Sequence, residues 1–366
     1  MKICYVANIR IPTEKAHGVQ IMKMCEAFAE LGHEVELVVT TRKTSISEDS
    51  FIYYGVKSNF QITRVAVPDT VGWGPLGFLF ETLVFARAVR KMIVRERPDL
   101  IFGRDERVLA SCVGLGIPMQ WESHTGAWNA AVRRLVAARV PIVVISDGLR
   151  KFYQSHGVPT DRMLVAHDGV DLGAFEVSET KEVARTRLGL PRDVWIALYA
   201  GRLDGWKGVG TLLEASNMLP DDIRVVIIGG EDHQVRELSA KYPRVTFLGY
   251  RPYRELPQNL AAADVLVLPN TGSDAISRSY TSPLKLFAYL ASGRPVIASN
   301  LPSICEIVDE RSAVLVPPDD AGAVADAIRR VMNDPGLAQV LAERGREKVE
   351  VHSWMARARS ILARAE

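Results

Sequence analysis

The sequence predicts an α/β protein built from two Rossmann-like domains, each a parallel sheet covered by helices on both faces. Strand and helix patterns alternate along the whole chain, which favours parallel strands joined by crossover helices. The length of 366 residues exceeds what one hydrophobic core usually serves. The alternation also runs in two series separated by a charged stretch, so we expect two domains with a deep cleft between them.

The first series begins with an apolar strand at residues 2–7. A helix follows at 19–31, with Ile21, Met24, Cys25 and Phe28 at helical spacing, and Gly32 closes it. Runs that predict further strands follow at 34–39, 61–65, 100–102, 119–122 and 141–145. We predict that residues 1–174 form the N-terminal domain.

The second series follows residues 176–187, whose charged composition predicts a linker. Apolar runs predict strands at 195–200, 224–228, 245–248, 265–268, 296–298 and 313–316. We predict a C-terminal domain over 175–350 and a final helix over 351–366, with Trp354 and Leu362 available for packing.

Composition limits the classes of partner. The net charge of +2 gives no general signal for nucleic acid. The four cysteines lack the paired spacing of metal or redox motifs and fit a reducing cytoplasm. The apolar start is too short for a signal peptide, and no run is long enough to span a membrane. We therefore expect a cytoplasmic protein that is soluble or at most membrane-associated.

Two cations follow the first strand of the second series. That strand ends at Gly201, and Arg202 and Lys207 lie in the loop after it. Ligands of open α/β sheets bind beyond the carboxyl ends of the strands. A forked guanidinium and a mobile ammonium suit a diphosphate. The alternative is that both are solvated loop charges.

A helix start some eighty residues later provides a second candidate anion site. Ser282 and Pro283 predict a capping hydroxyl followed by a first helical residue that has no amide hydrogen. The amides of Leu284 and Lys285 are then free to face an anion. Gly293 predicts the end of this helix. Alternatively, the segment is an ordinary βα unit without a ligand.

Five segments carry a family resemblance. They are "KAHGVQ", "VISDGLRKFYQSHGVPTDRMLVAHDGVDLGAF", "GRLDGWKG", "FLGYRPYRELPQNLAAADVLVLP" and "SPLKLFAYLASGRPVIASNLPSICEIV". In this order they resemble the retaining GT-B glycosyltransferases of glycosyltransferase family 4, over nearly the whole chain. The resemblance implies a GT-B fold, with two Rossmann-like sheets facing across a cleft and a C-terminal helix that crosses back onto the N-terminal domain.

The resemblance also implies residue roles. Arg202 and Lys207 match the pair that grips the donor diphosphate, and His124 matches a histidine at the edge of the donor sugar. From the residues alone, a neutral loop histidine bonded to backbone is the preferred interpretation of His124, and the family match reverses that preference. The other implied donor-binding residues are Gly18 near the distal phosphate, Gly249, Tyr250 and Arg251 beside the base, Tyr280 near the sugar, and Ser282, Pro283, Leu284 and Lys285 at the helix start.

The implied chemistry requires no cofactor, because the nucleoside-diphosphate sugar is a co-substrate. Retaining enzymes of this fold are usually described by a front-face substitution, in which the leaving diphosphate helps to deprotonate the acceptor hydroxyl. The protein supplies fixed cations and dipoles in a water-poor cleft. No Asp-x-Asp motif stands at a strand end, so we predict no metal.

Two positions depart from the family pattern. Many members carry glutamates that face the donor sugar and the ribose, and this chain has Tyr280 and Ala288 there. A tyrosine hydroxyl can meet a sugar, but an alanine cannot accept a hydrogen bond from ribose. The missing bond is worth about 1.5 to 3 kcal/mol if nothing replaces it.

Residues 71–97 form the unusual stretch of the N-terminal domain, where acceptors of this fold usually bind. Trp73, Leu76, Phe78, Leu79 and Phe80 precede Arg87, Arg90, Lys91, Arg95 and Arg97. This pattern suits peripheral docking on the inner face of an anionic membrane, as expected for a lipid-linked acceptor. The alternative is a core helix with a basic outer face, and the acceptor is then a sugar or another small molecule.

Two other functions remain open. Non-hydrolysing nucleotide-sugar 2-epimerases share the two-domain fold, but they need carboxylates that shuttle protons at the sugar. A binding partner that lost part of its donor site would explain Ala288. The retained Arg202, Lys207 and helix start argue against that partner.

Overall fold

The computed structural model describes residues 1–364 and divides into two compact units. The first comprises Met1–His167 together with the segment from Trp354 onward, and the second comprises Asp168–Ser353. The predicted boundary after residue 174 shifts to His167, because Val170 and Phe175 lie in the hydrophobic core of the second unit. The last two residues of the predicted 351–366 helix lie outside the described residues.

The first unit is a seven-stranded parallel sheet in the order β3-β2-β1-β4-β5-β6-β7. Its strands are β1 (Lys2–Val6), β2 (Glu34–Thr40), β3 (Gln61–Val65), β4 (Leu100–Gly103), β5 (Met119–Ser123), β6 (Ile142–Val144) and β7 (Met163–Val165). Its helices are α1 (Ala16–Glu30), α2 (Ser50–Tyr54), α3 (Pro75–Glu96), α4 (Glu106–Cys112), α5 (Ala130–Ala137), α6 (Asp147–Ser155) and, from the end of the chain, α15 (Trp354–Leu362). Helix α15 packs against α1.

The second unit is a six-stranded parallel sheet in the order β10-β9-β8-β11-β12-β13. Its strands are β8 (Trp195–Ala200), β9 (Ile223–Ile228), β10 (Thr246–Phe247), β11 (Val265–Leu268), β12 (Val296–Ser299) and β13 (Val314–Val316). Its helices are α7 (Lys181–Leu188), α8 (Val209–Ser216), α9 (Asp232–Lys241), α10 (Leu256–Leu260), α11 (Leu284–Ala291), α12 (Pro302–Cys305), α13 (Ala321–Asn333) and α14 (Pro335–Val349). The predicted pair of Rossmann-like sheets is confirmed.

The predicted linker at 176–187 is wrong, because most of its second half is helix α7. Arg185 of this helix is buried and donates to the Asp264 carboxylate at 2.5 Å and to the Ala262 carbonyl at 3.0 Å. Lys181 adds a second ion pair to Asp264 at 2.7 Å. The charges that suggested a solvated linker therefore attach α7 to the second unit.

The described chain contains no candidate membrane-spanning helix. None of the helices in residues 1–364 is both long enough and apolar enough to cross a bilayer.

Glycine is required where the loop after β8 approaches the end of β11. Gly208 has a φ of +68°, and a Cβ built on it would lie 1.8 Å from the carbonyl oxygen of Pro269. The positive φ disfavours other residues, and the contact with backbone leaves no room for a side chain. Gly208 thus lets the loop that carries Arg202 and Lys207 pack against the residue after β11.

Replacing this glycine tests the packing of the loop. We expect Gly208→Ala to lower the free energy of unfolding by about 1–3 kcal/mol or more, because the alanine must adopt a left-handed backbone and clash with Pro269. Urea denaturation measures the change. Gly210→Ala is the matched control: it lies in α8 with open space around its Cβ position, so stability should hold or rise by up to about 1 kcal/mol. Equal stability of both variants would contradict the packing.

Candidate active site

Three cations gather at the carboxyl edge of the second sheet, and we call Arg202, Lys207 and Lys285 the basic cluster. Arg202 follows β8, Lys207 ends a 3-10 turn at Gly205–Lys207, and Lys285 lies in the first turn of α11. Arg202 is paired with Asp204 at 3.0 Å on the surface. The charge of Arg202 lowers the pKa of Lys207, and that of Lys207 lowers the pKa of Lys285. The three side chains therefore share one electrostatic site.

The side chain of Lys285 is held by Tyr199 of β8. Its ammonium donates to the Tyr199 hydroxyl at 2.7 Å and lies 4.2 Å from the centre of the ring. The same hydroxyl donates to the Arg202 carbonyl at 2.7 Å. Sequence reasoning assigned only the amide of Lys285 and missed both its ammonium and Tyr199. A basic residue in the first turn of a helix was the available signal, since the helix dipole disfavours cations there.

Burial disfavours the charged forms of the two lysines of the cluster. Burial and the charge of Arg202 lower the pKa of Lys207 to about 8, although Asp204 partly offsets them. Burial and the charge of Lys207 also hold the pKa of Lys285 well below its ordinary value. Lys207 rests against its neighbour Trp206, with the ammonium 3.4 Å from the ring centre. Because like charges are held together here, a bound anion would stabilise all three cations.

The start of α11 differs by one residue from the prediction. The N-cap position is Pro283, not Ser282, and no side chain caps the helix. Ser282 cannot cap because its hydroxyl accepts a hydrogen bond from the Asp168 amide at 2.8 Å. The first amides of a helix have no acceptor within the helix, and those of Leu284 and Lys285 belong to this group. The anion-binding character of this helix start stays a prediction.

The remaining predicted donor residues of the second unit lie in the segments that follow β10 and β11, at the same edge of the sheet. Gly249 follows β10 with a φ of +66°, and its carbonyl accepts from the Gly229 amide at 2.7 Å. Tyr250 and Arg251 are exposed next to it. Tyr280 is half-buried at the end of a π-helix, Ile276–Tyr280, that leads to α11.

Ala288 is fully buried in the hydrophobic core of the second unit. It therefore presents no polar group at this edge, as its residue type predicts. A carboxylate at this position would have to leave water, at a cost that only hydrogen bonds or a bound ligand could offset.

A buried polar network occupies the carboxyl end of β5 in the first unit. Glu122 is inaccessible to solvent and accepts from the Arg357 guanidinium of α15 at 2.9 Å and from the Gln20 amide at 2.7 Å. His124 Nε2 forms a short hydrogen bond to the same carboxylate. Arg104 donates to the Gln20 side-chain oxygen at 3.1 Å. Sequence reasoning identified His124 but missed Glu122, to which it is hydrogen-bonded, and Arg357, which pairs with Glu122.

The network sets the charge states of Glu122 and His124. Burial alone would raise the pKa of Glu122, but Arg357, His124 and Arg104 outweigh it and hold that pKa far below its usual range. Burial and Arg104 lower the pKa of His124 to about 4, against the opposing effect of Glu122. His124 is therefore neutral at pH 7. Because the carboxylate only accepts hydrogen bonds, Nε2 carries the proton and Nδ1 keeps a lone pair.

Gly18 lies inside α1, in its first turn, and not in a loop before it. A Cβ on Gly18 would lie 2.2 Å from the Tyr54 hydroxyl, which donates to the Thr13 carbonyl at 2.8 Å and accepts from the Thr13 amide at 2.7 Å. Packing against Tyr54 is thus a structural reason for glycine at this position. The predicted approach of a phosphate to Gly18 stays a prediction.

Two family models match the chain. One, described as Glycosyltransferase Family 4, matches residues 17–174, and the other, Glycosyl transferases group 1, matches residues 195–334. The chain belongs to the glycosyltransferase family 4 group. The second model contains the whole basic cluster, and the first contains His124 and Gly18.

Curated relatives match about half of this family 4 chain and about half of their own length. A D-inositol 3-phosphate glycosyltransferase of Streptomyces avermitilis is 28% identical over 229 residues, which cover 57% of this chain and 47% of the relative. The putative teichuronic acid biosynthesis glycosyltransferase TuaC of Bacillus subtilis is 35% identical over 206 residues, covering 56% and 50%.

Solved structures share the fold over the whole chain. The Anabaena protein HepE in complex with UDP and glucose has a TM-score of 0.79 at 17% identity, covering 100% of this chain and 99% of HepE. A glycosyltransferase from Rickettsia africae has a TM-score of 0.78 at 17% identity, covering 100% and 97%. Both neighbours agree with the predicted GT-B fold.

The Glu122–Arg357 pair provides a stability test for the first unit. We expect Glu122→Gln to lower the free energy of unfolding at pH 7 by about 3–5 kcal/mol, because it leaves the buried Arg357 charge without its counter-ion. A lowered carboxyl pKa stabilises the fold above the ordinary glutamate value of about 4.3, and this contribution is lost as the pH falls below it. The difference between wild type and variant should therefore narrow in acid.

Chemical denaturation of both proteins at pH 7 and at pH values below about 4.3 measures the loss of stability at neutral pH and its decrease in acid. Glu347→Gln is the control, since Glu347 pairs with Arg344 at 2.7 Å on the surface and should change stability by less than about 1 kcal/mol. Equal effects of the two substitutions would contradict a buried, ionised Glu122.

The basic cluster predicts a pH dependence for anion binding. UDP is a suitable probe, because the second pKa of a phosphate is about 6 and its charge is constant above pH 7.5 or so. A lysine with a pKa of about 8 loses its charge as the pH rises through that value. We expect UDP affinity to fall about tenfold over this range, the equivalent of ~1.4 kcal/mol.

Isothermal titration calorimetry measures this dependence. Lys207→Arg should flatten it, because arginine stays charged, whereas Lys241→Arg, on the exposed face of α9, should leave it as in the wild type. If the affinity of the wild type for UDP did not change with pH, the basic cluster would not be the group that binds the diphosphate of UDP.

Proposed function

We propose that this protein is a retaining glycosyltransferase that moves a sugar from a nucleoside-diphosphate sugar to an acceptor hydroxyl, without a metal. The observation that carries this proposal is the meeting of Lys207, Lys285 and Arg202 at the uncapped start of α11. Such a site suits the diphosphate of a donor. Membership of family 4 and the UDP bound to HepE, a protein of the same fold, support the same ligand class.

The basic cluster provides the electrostatic part of the proposed reaction. As the bond from the anomeric carbon to the diphosphate breaks, negative charge grows on the leaving phosphate oxygen. Lys207, Lys285 and the open amides of α11 stabilise that charge, and Arg202 adds a forked donor. These groups supply the positive charge that a divalent ion supplies in other transferases, which is why we propose catalysis without a metal.

The acceptor completes the proposed exchange. Its hydroxyl oxygen forms the new bond to the anomeric carbon on the face that the diphosphate leaves, so the configuration is retained. Its proton passes to the departing phosphate oxygen, and the products are a glycoside and a nucleoside diphosphate. Neutral His124, with its proton fixed on Nε2 by Glu122, is proposed to offer Nδ1 as a hydrogen-bond acceptor to a sugar hydroxyl.

The arrangement favours transfer over epimerisation. A 2-epimerase needs carboxylates that remove and return a proton at the sugar. Asp204, an acidic side chain beside the basic cluster, is paired at 3.0 Å with Arg202, one of the proposed diphosphate-binding groups.

Turnover by variants of the cluster tests the proposal. The protein is incubated with a panel of nucleotide sugars that includes UDP-glucose, with and without candidate acceptors and with a chelator in parallel, and the release of nucleoside diphosphate is measured. We expect Arg202→Ala and Lys207→Ala each to lower kcat about 10²- to 10³-fold. The chelator should have no effect.

Arg330→Ala is the matched control. Arg330 is exposed near the end of α13, a helix that starts at the carboxyl edge of the sheet and runs away from it, so turnover should be unchanged. Full activity of Arg202→Ala would refute the site. An isomerised nucleotide sugar would identify an epimerase, binding without turnover would identify a binding partner, and an inverted anomer in the product, seen by NMR, would refute retention.

A further inference from the structure

Helix α3 of the first unit displays one continuous outward stripe with two different halves. Leu76, Phe80 and Leu83 recur at helical spacing and are 80%, 52% and 59% exposed. Trp73, in the turn just before the helix, is 79% exposed. Large apolar side chains so open to water are unusual when they form a patch, and such patches mark contact surfaces.

The stripe continues along α3 as a row of cations. Arg87, Lys91 and Arg95 follow Leu83 on the exposed side of the helix. Of the two acidic residues of α3, Glu81 is fully buried against Arg42, and Glu96 pairs with Lys2 and with Arg95, so the Arg95 charge is partly compensated. An apolar segment followed by exposed cations suits a surface that is apolar inside and anionic at its boundary, which describes a lipid bilayer.

A polar pocket of about 300 Å³ lies at the carboxyl ends of β1 and β2 in the same unit. Its polar walls combine hydroxyl groups with two guanidinium groups and two carboxylates, from Thr40, Thr41, Thr44, Ser47, Arg42, Arg64, Glu48 and Asp49. Arg64 donates to the Ser50 hydroxyl at 3.1 Å. Together these groups offer both hydrogen-bond donors and acceptors, which a ligand with several hydroxyl groups, such as a sugar or polyol, requires.

Arg42 joins this pocket to the first turns of α3. Its guanidinium bonds the buried Glu81 carboxylate at 2.5 Å and the Asn8 side-chain oxygen at 2.8 Å, and it lies 5.5 Å from the centre of the Phe78 ring. The neighbouring Lys43 amide donates to Asp69 at 3.3 Å, on the loop that leads to Trp73. Arg42 therefore links the polar pocket to the part of α3 that carries the apolar half of the stripe.

We propose that the α3 stripe docks on an anionic lipid bilayer, and that the pocket beside it receives the hydroxylated head group of an acceptor lipid. This inference rests on the proposed function, because it names the acceptor class of the same transferase. Trp73, Leu76 and Phe80 enter the boundary of the bilayer, and Arg87, Lys91 and Arg95 bind lipid phosphates. The protein then takes its acceptor from the membrane without spanning it.

Vesicle sedimentation tests the docking surface. The full chain is mixed with vesicles of phosphatidylcholine alone or of equal parts phosphatidylcholine and phosphatidylglycerol. We expect binding to the anionic vesicles only, weakened by salt. Arg87→Gln, Lys91→Gln and Arg95→Gln together should weaken binding about fivefold per cation removed. The triple variant Trp73→Ser, Leu76→Ser and Phe80→Ser should abolish sedimentation.

A control variant replaces exposed apolar residues elsewhere, with Ile52→Ser, Val183→Ser and Met218→Ser, and should bind as the wild type does. Thermal unfolding of every variant verifies that it is folded. Equal binding of the α3 variants and the wild type, or wild-type binding to neither kind of vesicle, would overturn the docking surface.

A transfer assay separates this inference from the proposed function. Vesicles that contain a bacterial polar lipid extract are incubated with labelled UDP-glucose, and the label is partitioned between organic and aqueous phases. We expect label in the lipid phase with the wild type and at least tenfold less with the α3 serine variant, while both hydrolyse donor equally when no acceptor is present. Label only in aqueous products would overturn the lipid acceptor. No release of nucleoside diphosphate from any donor of the panel would instead overturn the proposed function.

Discussion

Burial of cations that the fold holds together is the constraint on which the candidate site depends. Lys207 and Lys285 are partly removed from water, which lowers the pKa of both, and the charge of Lys207 lowers the pKa of Lys285 further. The unit tolerates this cost because glycine turns and the Tyr199 hydroxyl fix the surrounding backbone and the Lys285 ammonium. The charged forms of these lysines are disfavoured in the empty site, and a bound anion would stabilise them. Because the side chains are already in place before an anion binds, little reorganisation of the protein is needed during the reaction.

The network around Glu122 differs from the basic cluster, because its buried charges are already paired within the protein. Arg357, His124 and Gln20 all donate to one carboxylate. This arrangement attaches α15 to the end of β5 and sets the proton position of His124 in the same step. The last helix of the chain thereby contributes to a candidate sugar contact in the first unit, and its role is more than packing.

Particular elements show how far the sequence could be read. Buried parallel strands such as β8 and β11 are short apolar runs, so pattern alone located them. Helix α7 was misread because its buried arginine, Arg185, is satisfied by Asp264, which lies far along the chain. Ser282 was misassigned as a cap for a similar reason, since its hydroxyl accepts a hydrogen bond from the Asp168 amide, which is distant in sequence. Local propensity cannot reveal a partner that only packing supplies.

The sequence by itself determined the alternation of strands and helices, the family, and the placement of Arg202 and Lys207 after a strand. Those properties depend on hydrophobic periodicity and local motifs, which are written in consecutive residues. The tertiary structure alone decided which groups act together: Lys285 with Tyr199, Glu122 with Arg357, and the α3 stripe with the Arg42 pocket. Charge states and exposed surfaces depend on burial and on neighbours distant in sequence, and folding is what brings them together.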